Sequence, residues 1–139
     1  MGNENTKFAN QVPDTDTIAH KLYLSDFLRE PVICSAIHAL QLPSGSRGLD
    51  AGCGIGSHTL LLAEAVAPDG HVTGIDLSLE LLGHARETAN RSSLSEHVSF
   101  QQGDVSKLPF DDDTFDWVWS SDCVGYPVGE SLPLLRELA

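Results

Sequence analysis

The chain is poor in basic residues. Eight Lys and Arg stand against 20 Asp and Glu, for a formal charge of −12 over 139 residues. Phosphate backbones are bound chiefly through Lys and Arg, so no nucleic-acid partner is expected. Anionic membrane surfaces are disfavoured for the same reason. Long apolar runs are also missing, since none approaches the roughly 20 residues of a membrane span. The opening Met1-Gly2-Asn3-Glu4-Asn5 has neither the basic nor the apolar region of a signal peptide. Cysteine is scarce. Cys34, Cys53 and Cys123 cannot all pair with one another, none forms a Cys-x-x-Cys, and no Cys/His spacing suits zinc. Reduced thiols, a cytoplasmic protein and no metal site are the expectation. A content of 41% hydrophobic and 20% charged residues excludes collagen, coiled coil and wholesale disorder, and leaves one globular domain.

Residues 1–17 are polar and aperiodic and read as an N-terminal tail. Over 18–42, Ile18, Leu22, Phe27, Leu28, Val32, Ile33, Ile37 and Leu40 recur at roughly helical spacing. Pro31 suits a first helical turn, so this helical cap is expected as two helices divided there. From residue 46 to 139 the chain alternates strand and helix. Strands are predicted at Arg47–Ala51, His71–Asp76, Val98–Gly103 and Phe115–Ser120, and helices at Ser57–Ala67, Leu79–Asn90 and Ser131–Ala139. Ser78 is a good N-cap, although Leu81 stands where a full capping box would place Glu or Gln. Short connections in such an alternation imply right-handed crossovers and a parallel sheet.

The chemistry concentrates at Asp50-Ala51-Gly52-Cys53-Gly54-Ile55-Gly56, between the first strand and its helix. Glycines there let the chain turn sharply and let a ligand approach the main chain. Asp76 lies 20 residues beyond Gly56, at the end of the second strand, where a carboxylate accepts both ribose hydroxyls of a nucleoside. The spacing is GxGxG after an acid, whereas the dinucleotide fingerprint is GxGxxG. A pyrophosphate is repelled by a carboxylate at that point, whereas a ligand with an amino group and a sulfonium is attracted. S-adenosyl-L-methionine is therefore favoured over a nicotinamide dinucleotide.

Asp50 through Gly56 resembles motif I of the class I S-adenosylmethionine-dependent methyltransferases. Gly74-Ile75-Asp76-Leu77-Ser78 is similar to the ribose motif. Gln102-Gly103-Asp104-Val105, with Leu108-Pro109-Phe110, is similar to the adenine segment, and Phe115 to Ser121 is similar to the fourth-strand motif. The combination stands nearest the branch of ubiquinone and menaquinone biosynthesis enzymes and many small-molecule methyltransferases. The resemblance implies an α/β, Rossmann-like parallel sheet. It implies that Gly52, Cys53, Gly54 and Gly56 shape the loop around the methionine part, and that Asp50 attracts its amino group. Asp76 would hold the ribose, Leu77 would pack on the adenine, and Asp104 would accept from the adenine amino group, with Gly103 and Val105 beside it. Ser120 or Ser121 would offer a carbonyl to the amino group. A small-molecule methyl acceptor is implied, with Tyr23 and Tyr126 as candidates to line its side. No substrate base is named by the sequence, and His20, His38 and His58 have no identifiable catalytic partner.

Complete members of this family carry seven strands in the order 3-2-1-4-5-7-6. Four are recognised here, in the order 3-2-1-4, and the sequence stops inside a helix at Arg136-Glu137-Leu138-Ala139. The expectation is a methyltransferase domain truncated after its fourth strand, whose aromatic edge invites a homodimer or the missing C-terminal half. The other readings are a non-catalytic cofactor-binding fragment and a nicotinamide-dependent oxidoreductase. The GxGxG spacing after Asp50 argues against the latter.

Overall fold

The computed structural model describes residues 15–121. The expected helix at Ser131–Ala139, Tyr126, Cys123 and residues 1–14 of the expected tail lie outside them. The elements run α1 (Thr15–Leu40), β1 (Arg47–Ala51), α2 (Ser57–Val66), β2 (His71–Asp76), α3 (Leu79–Asn90), a single 3-10 turn (Ser95–His97), β3 (Val98–Gln102) and β4 (Trp117–Trp119).

The four strands form one sheet in the order β3-β2-β1-β4. All three pairings are parallel. Asp50 lies opposite Gly74 and Trp119, and Asp76 opposite Gln102. Every strand therefore presents its C-terminal end at the same edge of the sheet. β1 leads outward to β2 and β3, and the chain then returns to place β4 on the other side of β1. The reversal falls between β1 and β4, and in open parallel sheets ligands bind outside the strand ends at such a switch point.

Apolar periodicity sets the two faces. Thr59, Leu62, Ala63 and Val66 recur at i, i+3, i+4 and i+7 and are the buried residues of α2. They join Ile37 of α1, Val72 of β2, Ala89 of α3 and Val98 of β3 in one cluster. The three helices thus cover a single face. On the other face Leu49, Ala51 and Ile75 are roofed by Val105, Leu108, Phe110 and Phe115 from the long β3–β4 connection. Each fully buried Leu, Ile or Val contributes about 1.5–3 kcal/mol.

One expectation needs correcting. The cap is one 26-residue helix that passes through Pro31. Pro31 lies on the exposed side, where the carbonyl it leaves unpaired can be met by water. The helix begins at Thr15 and takes in the last three residues of the expected tail. β4 is also shorter than predicted, covering three residues rather than six.

Candidate cofactor site

β1 ends in a loop that the strand pattern alone cannot continue. Gly52, Gly54 and Gly56 take φ of 76°, 56° and 80°, a region that side-chain-bearing residues rarely enter. The loop folds back on β2: the N–H groups of Gly52 and Cys53 both donate to the Ile75 carbonyl, at 2.8 and 3.0 Å. At Gly56, the N-cap of α2, a Cβ would lie 2.9 Å from Ala85 and from the Phe100 ring. Glycine is thus required there by both torsion and space. At Gly54 a Cβ would meet only Leu22 of α1, at 3.7 Å.

Asp50 stands at the base of this loop, 2% exposed. Its Oδ2 accepts the Thr59 hydroxyl at 2.7 Å. Burial pushes its pKa up to about 7, the Thr59 bond opposes that rise, and the Asp76 and Asp26 carboxylates add to it. Cys53 turns its side chain inward, where its Sγ would crowd a Cβ at Gly74. Burial pushes its thiol far up, so it stays protonated. Its contribution to the loop is made by its backbone.

Asp76 closes the loop from the second strand. Its Oδ2 accepts the Gly54 N–H at 2.9 Å and its Oδ1 the Ser78 N–H at 3.0 Å. One carboxylate thus ties the glycine loop to the start of α3. Leu77 beside it is 64% exposed, an apolar surface at the strand end. Gly103 donates to the Asp76 carbonyl at 3.0 Å, which draws the end of β3 to the end of β2. Asp104 is exposed, and its Oδ1 accepts both the N–H and the hydroxyl of Ser106, at 2.8 and 2.6 Å. Those bonds hold its pKa below the usual carboxylate range. Val105 packs on the Leu49, Ala51 and Ile75 cluster. The Ser120 hydroxyl donates to the Ala51 carbonyl at 3.2 Å, and Ser121 reaches the mouth of the loop.

Asp50, Gly52, Cys53, Gly54 and Ser121 line one cavity of about 80 Å³. Ligand pockets usually run to roughly 300–1,000 Å³, so this cavity takes one end of a ligand. Leu77, Gly103 and Asp104 lie outside it, along the open strand ends.

Four residues at the site escaped sequence reasoning. Thr59 holds Asp50, and its signal was a polar residue on the buried stripe of α2. Asp26 and Arg29 of α1 and His58 of α2 line the same cavity. His58, for which the sequence names no catalytic partner, has its Nε2 3.8 Å from the Asp26 carboxylate. The two residues stand 32 positions apart in the chain and are brought together only by folding. Tyr23 lies on the outer side, 58% exposed, bordering a larger open groove of about 330 Å³ with His20 and His84.

Comparison with known proteins agrees with this geometry. The family model described as "Methyltransferase domain" matches residues 49–139. The chain belongs to that family, within the class I S-adenosylmethionine-dependent group. A demethylmenaquinone methyltransferase of Staphylococcus aureus is 42% identical over 74 residues, which are 53% of this chain and 30% of that protein. The chain thus spans about a third of the length of the curated relatives it matches. A SAM-dependent methyltransferase from Aquifex aeolicus superposes with a TM-score of 0.75 at 26% identity, covering 91% of this chain and 66% of that one. A Methanococcus maripaludis protein reaches 0.79 at 20% identity over 92% and 59%, a likeness of fold. The [4+2]-cyclase SpnF gives 0.64 at 30% identity over 76% and 38%.

Proposed function

We propose that this chain carries the cofactor site of an S-adenosyl-L-methionine-dependent methyltransferase that acts on a small molecule. The observation that carries the reading is the pairing of two carboxylates around one glycine loop at the switch point. Asp50 is buried beneath the loop, and Asp76 is hydrogen-bonded to its Gly54 N–H.

The residues fit the cofactor. A Cβ at Gly54 would project into the space between the loop and α1, so the glycine keeps room for a ligand. The donor set suits a cationic amino acid joined to a nucleoside: an acid at the closed end, a second acid for ribose hydroxyls, and exposed Leu77 and Asp104 for a base. When bound, the cofactor supplies a methyl group already activated by its sulfonium. The protein's part is to bind, orient and exclude water. Asp50 and the Ser120–Ser121 backbone would hold the amino group, and Asp76 the ribose.

The acceptor is proposed to be a small molecule, and demethylmenaquinone, named for the S. aureus relative, is the first to try. Cys34 and Cys53 are both free thiols, which supports a cytoplasmic setting. Among the described residues no helix is long and apolar enough to cross a membrane. A second reading, a binding domain without methyl transfer, is favoured by SpnF, a cyclase on the same fold. Transfer of labelled methyl to demethylmenaquinone separates the two.

Calorimetric titration with S-adenosylhomocysteine tests the site. The parent is expected to bind, and Asp76→Ala, verified as folded by circular dichroism, to bind at least about tenfold more weakly, the scale of losing a charged hydrogen-bond acceptor. A folded parent that binds nothing overturns the proposal.

A further inference from the structure

One side of α1 borders open space along most of the helix. Asp16, His20, Tyr23, Phe27, Glu30 and Cys34 recur in alternating steps of four and three, a spacing that keeps them on one side. That side lines three cavities, of about 330, 240 and 180 Å³. The first two share Tyr23 and Thr88, and the second and third share Leu61. They join into one groove between α1 and the α2–α3 pair. From Asp16 to His38 the groove follows the helix for roughly 33 Å, at about 1.5 Å per residue.

The middle of the groove is apolar. Tyr23 and Phe27 stand at its α1 edge, 58% and 63% exposed, and Leu60 and Leu61 of α2 line it with them. Apolar surface of this kind, bordered by polar groups, marks a place where something binds. The border is acidic. Asp16, Asp26, Glu30 and Glu64 line the three cavities, and among the described residues no Lys or Arg does. Two of these acids have local partners: Asp16 meets His84 at 3.2 Å, and Asp26 meets Arg29 at 3.5 Å on the side of the cofactor cavity. Glu30 and Glu64 are exposed.

A groove about six helical turns long, apolar in its middle and acidic along its border, fits an amphipathic helix laid lengthwise. Complementary charge selects a basic one and repels acidic competitors. The chain's own material fails on charge. Residues 1–14 hold Lys7 against Glu4 and Asp14, residues 122–139 hold Arg136 against Asp122, Glu130 and Glu137, and a second copy brings a charge of −12. We propose that this groove is the docking site for a basic amphipathic helix of a partner protein. Its apolar side chains would seat between Phe27 and the Leu60–Leu61 pair, and its Lys or Arg side chains would meet Glu30 and Glu64. The proposal stands apart from the cofactor reading, since the groove runs along the helix layer and not across the strand ends.

Fluorescence anisotropy with two labelled peptides tests it. Each has about 18 residues, all Leu and Lys, or roughly five helical turns. One places its Leu at i, i+3, i+4 and i+7, and the other scrambles the same composition so that no apolar face forms. The parent is expected to bind the amphipathic peptide at least about tenfold more tightly than the scrambled one, and added salt should weaken that binding by screening the border charges. Phe27→Ala and Glu30→Lys should each weaken it by about tenfold. Val32→Ala should stay within about twofold, because Val32 is 70% exposed yet lines none of the three cavities. Equal binding of the two peptides would reduce the effect to bulk charge and overturns the proposal. Equal losses in Phe27→Ala and Val32→Ala also overturn it, since they place the contact on the outer face of α1. No binding by the folded parent, the result if residues of this chain fill the groove, overturns it as well. So does a dimer in light scattering that Phe27→Ala dissolves, which would make a second copy the occupant.

Discussion

Folding alters the ionisation of Asp50 strongly. In the unfolded chain it ionises near 3.8, and in the folded protein burial raises that to about 7. Between those values the folded state keeps a proton that the unfolded state has lost. Its contribution to stability is therefore full at low pH and is lost as the pH rises through 7. Thermal melts of the ligand-free protein from pH 5 to 8 should show the parent losing stability relative to Asp50→Asn, which is neutral throughout. The gap should be on the order of a few kcal/mol at the alkaline end. Parallel melting curves would mean that Asp50 is already ionised in the folded state. The same physics makes a cationic ligand welcome, because it supplies the countercharge that the buried carboxylate lacks.

At the scale of elements, one carboxylate, Asp76, pins the glycine loop to the start of α3. α3 begins at Ser78, whose hydroxyl accepts the Leu81 N–H at 3.2 Å while its own N–H goes to Asp76. Ser78→Ala removes the first bond and keeps the second. It should cost about 1 kcal/mol, or roughly 3–4 °C in melting temperature for a domain near this size, with S-adenosylhomocysteine affinity within about twofold of the parent. A large loss of affinity would show that the cap, and not only the backbone, positions Asp76. α2 has no side-chain cap, since its N-cap is Gly56. The space that Ala85 and Phe100 leave at Gly56 decides this residue, and the glycine gives up a capping bond to fit.

For the molecule as a whole, the helices lie on one face and the sheet ends at β4 among the described residues. Gly48 makes room for the Trp117 ring, whose Nε1 donates to the Ser46 hydroxyl at 2.9 Å. Val118 projects the other way and is 41% exposed. An aromatic, apolar edge strand is a template for a further strand, and we propose that β4 pairs with a second copy or with further chain of the same protein. Light scattering over a concentration series should show a mass that rises above the monomer, and Val118→Lys should lower it, since edge lysines block such pairing. A constant monomer mass in the parent would rule out self-pairing.

Sequence alone placed the elements, the glycine loop, Asp50 and Asp76 by short-range rules, whereas the strand order was implied by the family resemblance. Period-two and helical patterns place the elements, connection length fixes parallel crossovers, and GxGxG after an acid needs no partner to be read. The end of β1 at Ala51 and the start of α3 at Leu79 match that reading to the residue. Only the tertiary structure decided what α1 does. Its helical apolar pattern included Phe27, Leu28 and Val32 beside Leu22, Ile33 and Ile37, and the helix turns the first three outward and brings Asp26 and Arg29 to the cavity at the loop. That choice depends on which side of the helix meets α2 and α3, a long-range contact invisible in local spacing. The pairing of Asp26 with His58 has the same origin: two residues on different helices meet only because both pack against the end of one sheet.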